Sequence, residues 1–207
     1  MKDGDEEGPV NKTNIERITN GIFAFTMTLL IRNLSLPELG TLNGEALVLA
    51  VTKYAVDIVI YLFVFLVLAV CWVMIFRVYR NIIAVDLGFI TRVFGTLLLV
   101  VFLPVTSQID VATDNLLGGV FSQINLGLLG LMTWSLYRYA ARHPRLRNPR
   151  LSDERLLRVL NREYAVLPAC SALAIAFSVL AVDFAGFVYL GAPFLLWLLI
   201  ARDGLDG

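Results

Sequence analysis

Histidine and cysteine are almost missing from these 207 residues, which contain one of the former and two of the latter. No His/Cys/Asp/Glu cluster has metal-ligand spacing, so a structural or catalytic metal is not expected. Two cysteines make no disulfide framework. Cys71 and Cys170 both lie inside apolar runs and read as packed thiols. His143 stands alone in a basic loop beside Pro144, which leaves no Ser/His pair for nucleophilic hydrolysis at membrane depth. Asp57, Asp86 and Asp183 fall near the ends of apolar runs, where helix-end or salt-bridge roles are the ordinary ones. With no acid–base set, the chain is not expected to be an enzyme, and no cofactor is implied. No Walker A loop is present. The N-terminus, MKDGDEEGPVNKT, is acidic rather than a basic n-region, so a cleaved signal peptide is not expected. Charge of either sign is scarce at 16%, and seventeen cations balance seventeen anions. Nucleic-acid binding has no support, because no aromatic side chains interleave the one basic segment.

What fills the chain instead is apolar residues, at 58%. Soluble domains hold about 45–50%. Several runs reach the roughly 20 residues that a bilayer core of about 30 Å requires. The expectation is an all-α membrane protein with six transmembrane helices, approximately over 14–36, 46–80, 88–108, 116–142, 164–182 and 186–201. Residues 1–13 and 202–207 form short polar tails. Pro37 stops the first helix, and Pro104 lies near the outer end of the third. The segment Arg142–Glu163 is the one long polar stretch. Its second part, Ser152 to Glu163, carries Leu156, Leu157 and Leu160 at helical spacing and suits a surface helix leading into helix five.

Charge distribution sets an orientation. Fifteen of the seventeen Lys and Arg residues fall on one side of this six-helix arrangement, and only Arg32 and Lys53 on the other. The positive-inside rule then places both termini in the cytoplasm of a multi-pass plasma-membrane protein. The Arg142–Arg162 segment becomes a solvated inner loop near anionic lipid.

The stretch from Asn14 to Pro37 is distinctive because it is not apolar all round. At about 100° per residue, Asn14, Arg17, Gly21, Ala24, Phe25, Thr28, Arg32 and Ser35 share one face. Ile22, Phe23, Met27, Leu30 and Leu34 share the other. A spanning helix gains nothing by turning small and polar residues toward lipid, so the stripe faces helices or water. Packing through small residues and lining of a pore both satisfy that condition.

The run Thr19-Asn20-Gly21-Ile22-Phe23-Ala24-Phe25-Thr26-Met27-Thr28-Leu29-Leu30 resembles the first-helix signature of the transmembrane protein 175 potassium channels. Trp72, Ile75, Phe76, Arg77 and Tyr79 are similar to that family's Trp, His pair, Arg and aromatic at the end of helix two. Asp86, followed a helix later by Leu103-Pro104-Val105-Thr106, resembles a third family motif. The departures are specific. The family's Phe-Ser-Asp is Ile18-Thr19-Asn20 here, its arginine position is Asn14 with Arg17 one turn later, and its histidines are absent.

The resemblance implies a homotetramer in the lipid bilayer, in which four first helices line a pore for monovalent ions. Such a channel uses no TVGYG filter, a sequence this chain lacks. By position, Phe25 would form the narrow apolar ring and Leu29 the next layer out, with Thr28 supplying a hydroxyl ring and Gly21 lying further in on the same face. Asn14, Arg17, Thr19, Asn20, Trp72 and Arg77 would make the cytoplasmic-side network that ties the first helix to its neighbours. Potassium would be favoured over sodium. Arg32, where members carry an apolar residue, leaves open a relative that conducts anions or nothing. Asp57 or Glu38 would be its ion-pair partners.

Overall fold

The computed structural model describes residues 11–32, 34, 43–113, 116–148 and 154–179. Five helices account for nearly all of them: α1 (Lys12–Ile31), α2 (Glu45–Arg80), α3 (Leu87–Thr113), α4 (Leu116–Arg142) and α5 (Glu154–Val179). The expected sixth helix, 186–201, lies outside the described residues.

Local chemistry explains the helix ends. Asn11 caps α1, its side-chain oxygen accepting the Thr13 N–H at 3.1 Å. Arg32 closes the other end, its N–H directed to the Leu29 and Leu30 carbonyls. Gly44 precedes α2 at φ +63°, a left-handed conformation that suits glycine. Arg77 and Arg80 occupy the last turn of α2, where cations complement the helix dipole. Asp86 caps α3, its Oδ1 accepting the Phe89 N–H at 2.7 Å.

Two of these helices meet the length and apolarity of a membrane span, Glu45–Arg80 and, within α3, Leu87–Ile109. The 36 residues of α2 extend about 54 Å at 1.5 Å per residue, more than an upright crossing needs. The other helices hold more polar residues, which lowers their average apolarity.

The segment expected as a surface helix, 152–163, leads into helix five without a break among the described residues. Glu154–Val179 is one continuous helix. No glycine or proline interrupts the junction, and Glu163 and Tyr164 there are buried at 1% exposure, so packing holds the helix straight through it. Proline occurs further along, at Pro168 in α5 and Pro104 in α3. Each removes one backbone hydrogen bond from its helix.

The helices pack with α4 against both α3 and α5, and α1 against α3 and α2. Leu68, Phe89, Val100, Leu129 and Leu136 are fully enclosed in the common core. Close approach of α4 to α5 depends on Gly130, where an added Cβ would sit 2.9 Å from the Pro168 backbone nitrogen. Outside the core, α2, α3 and α4 expose many large apolar side chains, among them Leu49, Val59, Leu66, Phe94, Leu98 and Leu131. A belt of this kind suits acyl chains.

Candidate functional site: the free face of the first helix

Helix α1 is sharply two-sided. Ile15, Thr19, Phe23, Thr26 and Leu30 are buried against the bundle. Asn14, Arg17, Gly21, Ala24, Phe25, Thr28 and Arg32 are all exposed. Ser35 lies outside the described residues. The polar and small stripe therefore packs against nothing in its own chain among the described residues. Phe25 is 61% exposed in the middle of it. Leu29 is half-buried beside that ring.

Individual groups on this face are set up in particular ways. The Thr28 hydroxyl donates to the Phe25 carbonyl at 2.7 Å. Its one proton is thereby used, and its lone pairs are left as acceptors on the exposed side. Gly21 has nothing within 4 Å of an added Cβ. Contacts within the described chain thus do not account for a glycine that costs an exposed helix about 1 kcal/mol relative to alanine. Arg32 is exposed and makes no ion pair among the described residues. Asp57 is half-buried and does not reach it, and Glu38 lies outside the described residues.

The inner end of α1 is tied down more firmly. Thr19 donates its hydroxyl proton to the Ile15 carbonyl at 2.8 Å. The buried 2.8 Å contact between Thr19 Oγ1 and Tyr79 must then carry the phenol proton toward Thr19. The Trp72 indole donates to Asn20 Oδ1 at 2.9 Å. Lys12 donates to the Ile82 carbonyl at 2.8 Å and lies 3.6 Å from Glu16. Thr19, Asn20 and Trp72 are thus brought together as an α1–α2 contact. The side chains of Asn14 and Arg17 bond no described residue. Arg77 turns away from α1 and pairs at 2.5 Å with Glu163 of α5, which is 1% exposed.

Several groups of this inner end were not singled out from sequence. Glu163 lies in a segment that has the composition of a solvated loop, so nothing local marks it as buried. Tyr164 donates to the Met74 carbonyl at 2.6 Å and stacks on Tyr137 with ring centroids 4.6 Å apart. Tyr139 donates to Asp86 Oδ2 at 2.8 Å, and the Arg92 guanidinium lies 4.0 Å over its ring. The spacing of Asp86 from the end of α2 was the available signal for that cap.

A helical bundle with an apolar outer belt, spans of membrane length and one unpacked polar stripe defines a multi-span membrane protein of the α-helical class. Residues 14–104, which hold nearly all of α1, the whole of α2 and most of α3, match the family described as endosomal/lysosomal potassium channel TMEM175. Over that region, somewhat under half of its length, the chain is similar to this family. The fold is shared with the crystal structure of a lysosomal potassium-selective channel TMEM175 homolog from Chamaesiphon minutus, at a TM-score of 0.78 and 19% identity. The similarity covers 90% of this chain and 96% of that one. No curated protein matches.

Proposed function

We propose that four copies of this chain surround a central pore lined by the free face of α1 and conduct potassium in preference to sodium across the plasma membrane. Each subunit would contribute six spans, with both termini in the cytoplasm. The observation that carries this reading is the complete exposure of the described stripe from Asn14 to Arg32 in a helix whose opposite face is buried. At membrane depth such a stripe needs water or protein against it, and the described residues of its own chain provide no protein. Four-fold closure provides both.

On that axis, Phe25 is the gate. A ring of apolar side chains narrow enough to expel water stops an ion, because dehydration there has no compensating contact. Leu29 extends the dry zone by one layer. Rotating or tilting α1 moves Phe25 aside and lets water enter. Thr28 lies one turn away with its lone pairs free, and four such oxygens replace part of an ion's shell. Potassium sheds that shell more easily than sodium, so partial replacement favours it. Gly21 widens the inward side.

A second reading rests on Arg32. Four unpaired guanidinium groups at the outer mouth repel cations and attract anions. The test is flux in proteoliposomes under potassium, sodium and chloride gradients, comparing wild type with Phe25→Ala. Potassium flux that rises in Phe25→Ala supports the gate. Chloride flux in place of potassium assigns selectivity to Arg32. No flux from intact tetramers in either protein removes the channel reading.

A further inference from the structure

We propose that the inner end of the bundle is a built site for anionic lipid headgroups, carried by α4 and by the loops that join α2 to α3 and α4 to α5. The proposal takes its cytoplasmic orientation from the reading above.

The two loops are locked together. Ile82 and Arg147 face each other in an antiparallel bridge. The Ile83 N–H bonds the Leu146 carbonyl at 2.8 Å, and the Asn148 N–H bonds the Asn81 carbonyl at 3.0 Å. Leu146 is buried beneath them at 4% exposure. This pairing places Arg80, Arg145 and Arg147 along one ledge whose backbone is fixed. Arg138 and Arg142 lead into it from α4. They continue a single face of the helix, at steps of three and four residues, from the exposed Leu128 and Leu131 through the half-buried Ser135. Apolar side chains along most of that face and arginines at its inner end are the order a helix shows as it leaves acyl chains for headgroups.

Most of the positive charge there has no carboxylate against it among the described residues, although the Arg138 guanidinium also lies 4.9 Å over the Trp134 ring. Asp86 is the one carboxylate among the described residues of this part of α2, α3 and α4, and both its oxygens are engaged, by the Phe89 N–H and the Tyr139 hydroxyl. The Arg77 charge is met by Glu163, and Arg92 lies against Tyr139 beside Asp86. Arg80, Arg138, Arg142, Arg145 and Arg147 have no ion-pair partner among the described residues. Beside this ledge Ile83 and Leu87 are 56% and 79% exposed. Exposed apolar groups flanking arginines suit a headgroup with acyl chains below it. A soluble phosphate compound would leave those two side chains in water.

The test uses the intact protein in phosphatidylcholine bilayers containing trace dansyl-labelled phosphatidylglycerol or dansyl-labelled phosphatidylcholine, read by energy transfer from tryptophan. Each arginine near the surface changes lipid preference about fivefold. Wild type is expected to favour phosphatidylglycerol at least tenfold, with the preference shrinking as salt is raised. The triple variant Arg138→Gln/Arg142→Gln/Arg145→Gln lowers that preference at least about fivefold, and the matching triple Lys variant keeps it. Equal binding of both lipids by wild type overturns the proposal. Displacement by millimolar inorganic phosphate overturns the lipid assignment in favour of a soluble anion. Should the Gln variant fail to fold, wild-type preference, its salt dependence and the Lys variant decide. None of these readouts involves ion flux, so a chain that conducts nothing would still pass or fail on its own.

Discussion

Polar side chains inside the apolar helices meet opposite fates in two parts of this molecule. Where α3, α4 and α5 pack together, most of them are paired off, the buried Ser171 hydroxyl being an exception among the described residues. Gln123 and Ser178 exchange bonds of 2.8 and 3.1 Å, Asn125 reaches Thr106 at 3.2 Å, and the Ser122 hydroxyl donates to the Thr106 carbonyl at 2.8 Å. On α1 the polar and small residues of the stripe are left on the surface. Both helix sets are rich in such residues, so composition does not separate them. Their partners do. A polar group satisfied within the chain holds helices together, and one left unsatisfied at membrane depth is directed at something outside it.

That contrast is broken or sharpened by substitution, and the largest effect is expected at the Arg77–Glu163 pair. Glu163→Leu leaves a guanidinium in a largely buried place without its counter-charge and should destabilise the protein by about 3–5 kcal/mol, measured by unfolding in detergent. The double variant Arg77→Met/Glu163→Leu should recover most of that loss, since no lone charge remains. Potassium/chloride discrimination should not change in either. A shift in ion preference would mean that the packed region also sets selectivity.

Two glycines make a sharper pair. Gly130→Ala drives a methyl group into the Pro168 backbone and should cost about 1–3 kcal/mol. Gly21→Ala meets nothing within its own described chain and should stabilise the helix by up to about 1 kcal/mol, while reducing flux by narrowing the lumen. Loss of stability in Gly21→Ala comparable with that in Gly130→Ala would place Gly21 in a tight contact between copies instead.

Smaller effects test the buried faces. Gln123→Leu removes the reciprocal bond with Ser178 and should cost about 0.6–1.7 kcal/mol, from the average to the largest value for interhelical bonds in membranes. Thr26 lies on the buried side of α1 at 1% exposure, and its hydroxyl has no partner among the described residues. Thr26→Val, similar in shape and free of the hydroxyl, should raise stability by about 1 kcal/mol in the same unfolding assay. Phe25→Ala should change stability least, within about 0.5 kcal/mol, while changing flux most. A large destabilisation there would show that Phe25 is packed, and the free-face reading of α1 would fail.

The two-sidedness of α1 was legible because it needs only the helical period. Asn14, Arg17, Gly21, Ala24, Phe25, Thr28 and Arg32 separate from Phe23 and Leu30 on any helical wheel, and the folded chain exposes the first set and buries the second. Asp86 was similarly readable as a helix-end carboxylate. Glu163 was not. Its neighbours Arg158 and Arg162 give the segment a solvated look, and its burial depends on Arg77, which is 86 residues away. The polar composition of 152–163 likewise did not show that the helix would run on unbroken from Glu154 to Val179.

Periodicity and charge bias are properties of short stretches, and short stretches determined that this chain is helical, suited to a bilayer, and two-sided at its first helix. Which polar group meets which partner is a property of distance in space. Only the tertiary structure decided that Thr19 would meet Tyr79 and Asn20 would meet Trp72, that Arg77 would turn from α1 to α5, and that the loops at 81–83 and 146–148 would lock into one ledge. Most buried polar atoms find a partner where the packed helices place one, and sequence separation says little about where that is.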